Sequence, residues 1–213
     1  MILRHDIDNS LPQALRLAEI EAEECVKSTW FVLLRTDFYN PASAASQRIL
    51  RRIRELGHEI GLHFDEMAYA CEGGAETCTG VSTEELIVHE ANILADICGC
   101  PITTVSMHRP SKATLEADLQ IPGMVNSYGQ TFFHDFKYLS DSRHRWREPV
   151  EDIIRGGEYD RLHILTHAFW YHEEDQDITE SVGDFIRSAN AERYAQMLEN
   201  ITDLPLIIER KDI

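Results

Sequence analysis

Histidine and aspartate residues stand at the ends of several short apolar runs in this sequence. They are Asp6, Asp8, His63, His108, Asp141 and His167. Imidazole and carboxylate groups together are typical ligands of zinc, iron or cobalt, rather than of magnesium or calcium. A carboxylate outside the metal shell can accept a proton from water. The pattern therefore predicts an Asp/His/His metal site with hydrolytic chemistry.

Asp6 and Asp8 are two residues apart, so in an extended strand their side chains point to the same side. Two carboxylates held together repel each other unless a cation or a shared proton offsets their charge. Each could instead cap the helix that follows near Leu11. His or Asp recurs at five successive strand ends, and this recurrence favours the metal site over the local explanation.

Strand-like and helix-like segments alternate along most of the chain, as expected for parallel βα units. The predicted strands cover residues 1–5, 29–34, 58–64, 103–108, 123–128, 137–140, 161–167 and 204–209. The predicted helices follow Ser10, cover residues 45–56, follow a capping box of Ser82 and Glu85, and cover residues 178–201. No glycine-rich dinucleotide fingerprint or P-loop follows a strand, which favours a barrel or near-barrel over a doubly wound sheet. Such barrels carry functional groups at the carboxyl ends of their strands.

The 213-residue chain has a net charge of −17, from 20 Lys and Arg against 37 Asp and Glu. This acidic excess argues against nucleic acid or an anionic membrane surface as a partner. No apolar run reaches the length of about 18 residues that a transmembrane helix needs, so we expect no membrane insertion. Charges at residues 4–8 argue against a signal peptide. We therefore expect one cytoplasmic domain that covers residues 1–213.

The five cysteines are irregularly spaced, at positions 25, 71, 78, 98 and 100. A bridge between Cys71 and Cys78 is one alternative, and half of a metal site at Cys98 and Cys100 is another. Neither pair has zinc-finger spacing, so we expect dispersed reduced thiols.

Five segments resemble, in order, the NodB-homology polysaccharide deacetylases, and most closely the WbmS-like branch found in O-antigen gene clusters. They are LRHDID (3–8), GHEIGLHFD (57–65), SMHRP (106–110), NSYGQTFFHDFKYLSDSRHRWRE (126–148) and LHILTHAFWY (162–171). The resemblance implies a distorted (β/α) barrel with about seven parallel strands. It also implies one divalent transition metal, with zinc as the first expectation and iron or cobalt as alternatives. The reaction it implies is hydrolysis of an N- or O-acetyl group from a sugar.

The resemblance also assigns roles to individual residues. Asp6 matches the catalytic base, Asp8 the first metal ligand, and His63 the first histidine of a His-x-x-x-His pair. Arg109 resembles the arginine that holds the base, and His167 resembles the general acid. Four residues would contact or support the sugar, namely Asp141, Trp146, Trp170 and Tyr171.

Two features depart from the family pattern. The carboxylates form Asp-x-Asp, where most polysaccharide deacetylases have adjacent aspartates. Met67 stands four residues after His63, where the second histidine of the metal pair is expected. Because a thioether is a poor ligand for a hydrolytic metal, we expect His108 to replace it. His167 is the other candidate, and in that case the general acid is lost from its usual place.

These observations predict a metal-dependent hydrolase that removes an acetyl group from an acetylated sugar or a surface-polysaccharide precursor. Metal-bound water is the expected nucleophile and Asp6 the expected general base. Two alternatives stay open at this point. One is a catalytically degenerate barrel that binds a glycan or a biosynthetic partner, and the other is a metal-dependent hydrolase of another amide or ester class. The sequence leaves the oligomeric state open.

Overall fold

The computed structural model describes residues 1–70 and 80–210. These residues gather in two compact units, Met1–Tyr171 and a second one that begins at His172. The expectation of one domain over residues 1–213 stays a prediction. Cys71 and Cys78 lie outside the described residues, while Cys25, Cys98 and Cys100 are free thiols. Among the described helices, none has the length and apolar character needed to cross a membrane.

The first unit is built on one sheet of seven parallel strands. They are β1 Ile2–Ile7, β2 Thr29–Leu33, β3 Glu59–Phe64, β4 Thr104–Met107, β5 Val125–Asn126, β6 Lys137–Ser140 and β7 Leu162–Thr166. Their order in the sheet is β5-β4-β3-β2-β1-β7-β6. This is the cyclic order of a barrel, with β7 returning to β1, but within the described ranges no ladder joins β5 to β6. The expected α/β fold with about seven parallel strands is confirmed as an incomplete barrel.

The helices mostly follow the strands in alternation. They are α1 Leu11–Glu23, α2 Ala44–Glu55, α3 Thr83–Cys98, α4 Lys112–Glu116, α5 Gln130–His134, α6 Val150–Gly156, α7 Ile178–Asn200 and α8 Leu204–Ile207. Two 3₁₀ turns cover Glu66–Tyr69 and Ala168–Trp170. Ser10 caps α1, and the predicted capping box of Ser82 and Glu85 opens α3. Side chains therefore satisfy the first free backbone N–H groups of both helices.

The strand predicted at residues 204–209 is wrong, because Leu204–Ile207 forms the short helix α8. A short apolar run does not distinguish a strand from a buried helical turn. Pro205 is compatible with the first turn of a helix, where its missing N–H would have no partner. The neighbours of β1 are instead β2 on one side and β7 on the other, so β1 lies inside the sheet.

The outer faces of β1 to β4 form the apolar core against three helices. Alternate residues of β2 and β3, such as Trp30, Val32 and Leu62, are completely buried there. They pack against apolar residues of α1, α2 and α3, including Ala14 and Leu50. Burial of each large apolar side chain contributes about 1.5–3 kcal/mol, so this layer holds the strands in place.

The inner faces of the same strands carry polar side chains. Arg4 and Asp6 of β1, His63 of β3 and Ser106 of β4 are each at most 3% exposed. The ladder places His63 beside Ser106, and the same alternation places Asp6 and Arg4 on one side of β1. The apolar outer layer therefore fixes the strands, and the polar inner side chains are free to form a site.

Candidate active site

Asp8, His63 and His108 come together at the carboxyl ends of β1, β3 and β4. Oδ1 of Asp8 lies 3.2 Å from Nε2 of His63 and 3.5 Å from Nδ1 of His108, and the two nitrogens are 3.3 Å apart. A tetrahedral ion with bonds of about 2.1 Å needs donor atoms about 3.4 Å apart. These three side chains could therefore hold a metal ion without moving.

The backbone fixes two of these donors. His63 is the fifth residue of β3 and pairs with Leu33 and Ser106 in the neighbouring strands. His108 follows β4 directly, and its N–H donates to the carbonyl of Phe64 at 2.7 Å, which continues the ladder by one residue. The side chains of His63 and His108 are 2% and 18% exposed.

The chemistry of this donor set also suits a cation. Oδ1 of Asp8 is a buried acceptor that has no hydrogen-bond donor among the described residues. Burial alone would raise the pKa of the Asp8 carboxyl, but the adjacent imidazoles of His108 and His63 outweigh burial and hold it well below its usual range. A carboxylate and two imidazoles match several divalent transition metals, so the set by itself selects no single metal.

Asp6 lies beside this metal triad. Its Oδ2 is 3.7 Å from Nε2 of His63, and the carboxylate is 3% exposed. Ser106 donates from Oγ to Oδ1 of Asp6 at 3.2 Å, and Nη1 of Arg4 lies 3.6 Å from the same oxygen. Asp6 is therefore a buried carboxylate held next to the candidate metal position.

His167 lies on the other side of Asp8, after β7. Its Nε2 is 3.9 Å from Oδ2 of Asp8, and its Nδ1 is 2.7 Å from Oδ1 of Asp141. The backbone N–H of His167 and the hydroxyl of Tyr171 both donate to Oδ2 of Asp141, at 3.1 and 3.2 Å. Asp141 therefore orients the imidazole ring so that Nε2 is left toward the triad.

The pKa of His167 is raised above its usual value. Burial works in the opposite direction, but the hydrogen bond to Asp141 and the negative charges of Asp6, Asp141 and Asp8 outweigh it. The protonated imidazole is thus favoured, which is the form that a general acid needs.

The structure places Arg4 beside Asp6, where the resemblance assigned Arg109. Arg109 donates from Nη2 to Oδ2 of Asp65 at 2.6 Å, and its side chain is 66% exposed. Its backbone is in the left-handed region, with φ at +49°, two residues after the end of β4. Oδ2 of Asp65 is also 4.0 Å from Nε2 of His108. Asp65 therefore lies near the ring nitrogen of His108 that is not part of the metal triad. The catalytic role of Arg109 stays a prediction.

The aromatic residues expected at the sugar site differ in their surroundings. Trp146 packs against Leu139 and neighbouring apolar residues and lines a cavity of about 200 Å³ with Arg147. Trp170 stacks on His144 with ring centroids 5.3 Å apart. Tyr171 is 42% exposed and bonds Asp141. Sugar binding by these side chains stays a prediction.

Arg4 and Ser106 have no role among the residues predicted from the sequence. The signal was available, because Arg4 precedes Asp6 by two residues and Ser106 precedes His108 by two. In a strand that spacing places both members of each pair on one face. Met67, four residues after His63, lies in the 3₁₀ turn Glu66–Tyr69 and is 54% exposed.

No family model and no curated protein matches this chain. Solved structures show a distant likeness in fold. One is the chitin deacetylase of the fungal pathogen Colletotrichum lindemuthianum, with 16% identity, a TM-score of 0.49, and coverage of 88% of this chain and 80% of that one. Another is a family 4 acetyl xylan esterase from Clostridium thermocellum in complex with a cobalt ion, with 17% identity, a TM-score of 0.45, and coverage of 90% and 83%.

A further likeness is to a pseudoenzyme of carbohydrate esterase family 4 from Bacillus anthracis, with 13% identity and a TM-score of 0.48. That match covers 90% of this chain but spans only 60% of the pseudoenzyme's length. A mutant of that family 4 pseudoenzyme with restored enzymatic activity shows the same 13% identity, and the chain spans 62% of it. These likenesses concern the fold alone. The fold and site define an α/β protein of seven parallel strands with a candidate Asp-His-His metal centre.

Proposed function

We propose that this chain is a metal-dependent hydrolase that removes an acetyl group from an acetylated sugar or a surface-polysaccharide precursor. The observation that carries the proposal is the flanking of the metal triad by two groups suited to proton transfer. Asp6 lies 3.7 Å from His63 on one side, and His167 lies 3.9 Å from Asp8 on the other. Hydrolysis of an amide or ester is assisted by a proton acceptor for the attacking water and a proton donor for the leaving nitrogen or oxygen.

A divalent ion held by Asp8, His63 and His108 would supply a Lewis acid, which polarises the acetyl carbonyl and makes water more acidic. In the proposal Asp6 accepts the proton of the attacking water. His167 then donates a proton from Nε2 to the departing sugar nitrogen or oxygen. Asp141 keeps Nδ1 of His167 occupied, so the proton transfer is directed through Nε2.

We propose zinc as the first metal to test, with iron and cobalt next, and the cytoplasm as the location of the protein. The acidic character of the chain supports a neutral or cationic substrate surface over a polyanion. A substrate panel would identify the sugar and show whether its acetyl group is linked through nitrogen or oxygen.

The proposal is tested by metal content and acetate release on the same preparations. Mass spectrometry should find about one transition metal per chain, lost in both His63→Ala and His108→Ala and kept in Asp6→Ala. A panel of N- and O-acetylated sugars should release acetate with the wild type, and Asp6→Ala should abolish this release. His89→Ala serves as a matched control, since His89 is an exposed histidine of α3. Bound metal without acetate release would favour the glycan-binding barrel instead, and release of phosphate would favour another hydrolase class.

A further inference from the structure

We propose that Arg4 is the positioning residue for Asp6, and that it acts through the hydroxyl of Ser106. The inference rests on the proposed function, in which Asp6 is the proton acceptor. It gives the task expected of Arg109 to a different side chain, which comes from the same strand as Asp6 itself.

Arg4 is a cation inside the barrel. It is 1% exposed and lies on the inner face of β1, where its backbone pairs with Thr29 and Leu165. A guanidinium group keeps its charge in proteins, so its burial requires a counter-charge close by. The carboxylate of Asp6, 3.6 Å from Nη1 and 3% exposed, supplies that charge.

Ser106 joins the two charges through directional hydrogen bonds. Nη1 of Arg4 donates to Oγ of Ser106, and the same Oγ donates to Oδ1 of Asp6 at 3.2 Å. Guanidinium groups only donate and ionised carboxylates only accept, so the serine hydroxyl accepts from Arg4 and donates to the carboxylate of Asp6, whose Oδ2 is also 3.4 Å from Oγ. Arg4, Ser106 and Asp6 therefore form a relay with a single hydrogen-bond direction, which restricts the rotation of the carboxylate.

The guanidinium group has further contacts, although its buried Nε and Nη2 atoms have no hydrogen-bond partner among the described residues. Nη1 also donates to Oγ of Ser127 at 2.8 Å. The central carbon of the group lies 4.9 Å from the ring centre of Tyr128 and 5.5 Å from that of Phe31. Aromatic faces attract a cation and limit its movement. A rigid donor is what a positioning residue requires.

The relay contacts Oδ1 of Asp6 more closely than Oδ2. Oδ1 lies 3.6 Å from Nη1 of Arg4 and 3.2 Å from Oγ of Ser106. Oδ2 lies 3.4 Å from the same Oγ and 3.7 Å from Nε2 of His63, next to the metal triad. Arg109 is in a different position, since its guanidinium group is largely exposed and bonds Asp65. The geometry thus assigns Arg4 and Ser106 to Asp6, and Arg109 to Asp65.

The kinetic test compares Ser106→Ala with Arg109→Lys in the metal-loaded protein. Ser106→Ala removes the connecting hydroxyl and keeps both charges, so kcat should fall by about tenfold or more while KM and metal content stay unchanged. Arg4→Lys keeps the charge without the planar fork, and it should retain more activity than Arg4→Met. An unchanged kcat in Ser106→Ala, or a larger loss in Arg109→Lys, overturns the inference while acetate release by the wild type still supports the proposed function.

A second readout does not depend on activity. Denaturant unfolding should be measured for Arg4→Met, Asp6→Asn and the double variant. The change in unfolding constant of the double variant should differ by about tenfold from the product of the two single changes. In the matched cycle of Arg109→Met with Asp6→Asn, the change in unfolding constant of the double variant should equal the product of the two single changes within about twofold. If Arg4→Met does not fold, Ser106→Ala takes its place in the first cycle. Independent effects in that cycle overturn the inference, whereas failure of the proposed function shows as wild type that releases no acetate.

Discussion

Asp141 receives three hydrogen bonds at the end of β6, and its main effect is on one histidine. It is 2% exposed, and it bonds the ring and the backbone N–H of His167 as well as the hydroxyl of Tyr171. A carboxylate that bonds the distal nitrogen fixes both the tautomer and the orientation of an imidazole. His167 would therefore depend on Asp141 for its role as proton donor.

Asp141→Asn should lower kcat by about 10²-fold while metal content stays unchanged, because Asp141 is outside the metal triad. The amide lacks the negative charge that favours protonated His167, so the pKa of His167 should fall in the variant. Since the active form carries the proton, the rate of the variant should decline at lower pH than that of the wild type. A pH–rate profile measures this, and an unshifted alkaline limb would contradict the role of His167 as acid.

At the scale of the elements, β3 approaches β2 so closely that one of its positions admits only glycine. A Cβ on Gly61 would lie 2.5 Å from a ring carbon of Phe31 and 2.6 Å from Oγ1 of Thr104. The ring of Phe31 is also one of the two that flank Arg4. Any side chain at Gly61 therefore displaces the inner layer beneath the site.

Gly61→Ala should destabilise the fold by about 1–3 kcal/mol, the usual effect of overpacking, and should also reduce kcat because Phe31 moves. Gly156→Ala is the matched control. Gly156 is in α6 and has no atom within 4 Å of an added Cβ, so alanine there should be neutral or stabilise by up to about 1 kcal/mol. Urea unfolding of both variants measures the difference, and equal effects would contradict this reading of the β2–β3 contact.

The outer face of β1 carries a second polar group, buried under α1. Nε2 of His5 is 2.7 Å from Oε1 of Glu21, and Ser28 donates to Oε2 of Glu21 at 2.6 Å. Oγ of Ser28 is in turn 3.0 Å from Nδ1 of His58. This network ties α1 to β1 and to the segments before β2 and β3. It therefore helps to hold the strand that carries Asp6.

Glu21→Gln should lower the free energy of unfolding by about 1–3 kcal/mol. The amide group has one oxygen that accepts hydrogen bonds, whereas the carboxylate has two. Glu19→Gln is the control on the same helix, since Glu19 is 44% exposed and its ion pair with Arg52 should contribute less than about 1 kcal/mol. Chemical denaturation at neutral pH compares the two. A loss in Glu19→Gln as large as that in Glu21→Gln would exclude the buried network as the cause.

Most elements of the sheet followed from the sequence because their residues obey local rules. Apolar runs such as residues 29–34 coincide with buried strands, and Ser10 and Ser82 mark helix starts through their caps. The run at 204–209 was misassigned because a short apolar run fits a strand or a helical turn, although Pro205 is a local signal against a central strand. The spacing of Arg4 and Asp6 places both on one face of β1, but the contact of Arg4 with Ser106 spans 102 residues of the sequence. Contacts of that range depend on the order of the strands in the sheet, and no single segment of the sequence determines that order.

At the scale of the molecule, stability should depend on the protonation of a buried histidine inside the barrel. His163 of β7 is completely buried, with ring centroids of Tyr138 and Phe132 at 5.3 and 5.8 Å. Burial, helped by the positive charge of Arg4, lowers the pKa of His163 to about 4. The folded protein therefore keeps this imidazole neutral at a pH where the unfolded chain protonates it.

Between a pH of about 6.5 and about 4 the unfolded chain binds a proton that the folded chain excludes. The free energy of unfolding should thus fall as the pH falls through this window, by up to about 1.4 kcal/mol per pH unit from this group, and should be unaffected by it at higher pH. His163→Leu should reduce the slope. Urea unfolding of both proteins at pH values of about 7, 5.5 and 4.5 measures it. Parallel pH curves would show that His163 does not contribute.

Because β5 and β6 are the two edges of the sheet, the residues of the candidate site lie on two arms that meet at β1. The candidate ligands come from β1, β3 and β4 on one arm, and Asp141 and His167 follow β6 and β7 on the other. Among the described residues, one ladder of backbone hydrogen bonds connects the arms, and it runs from Ile2 opposite His163 to His5 opposite Thr166. These four paired residues therefore help to set the distance between His167 and the triad of Asp8, His63 and His108. A substitution that loosens this ladder would increase the distance between His167 and the triad, although every side chain of the candidate site would still be present.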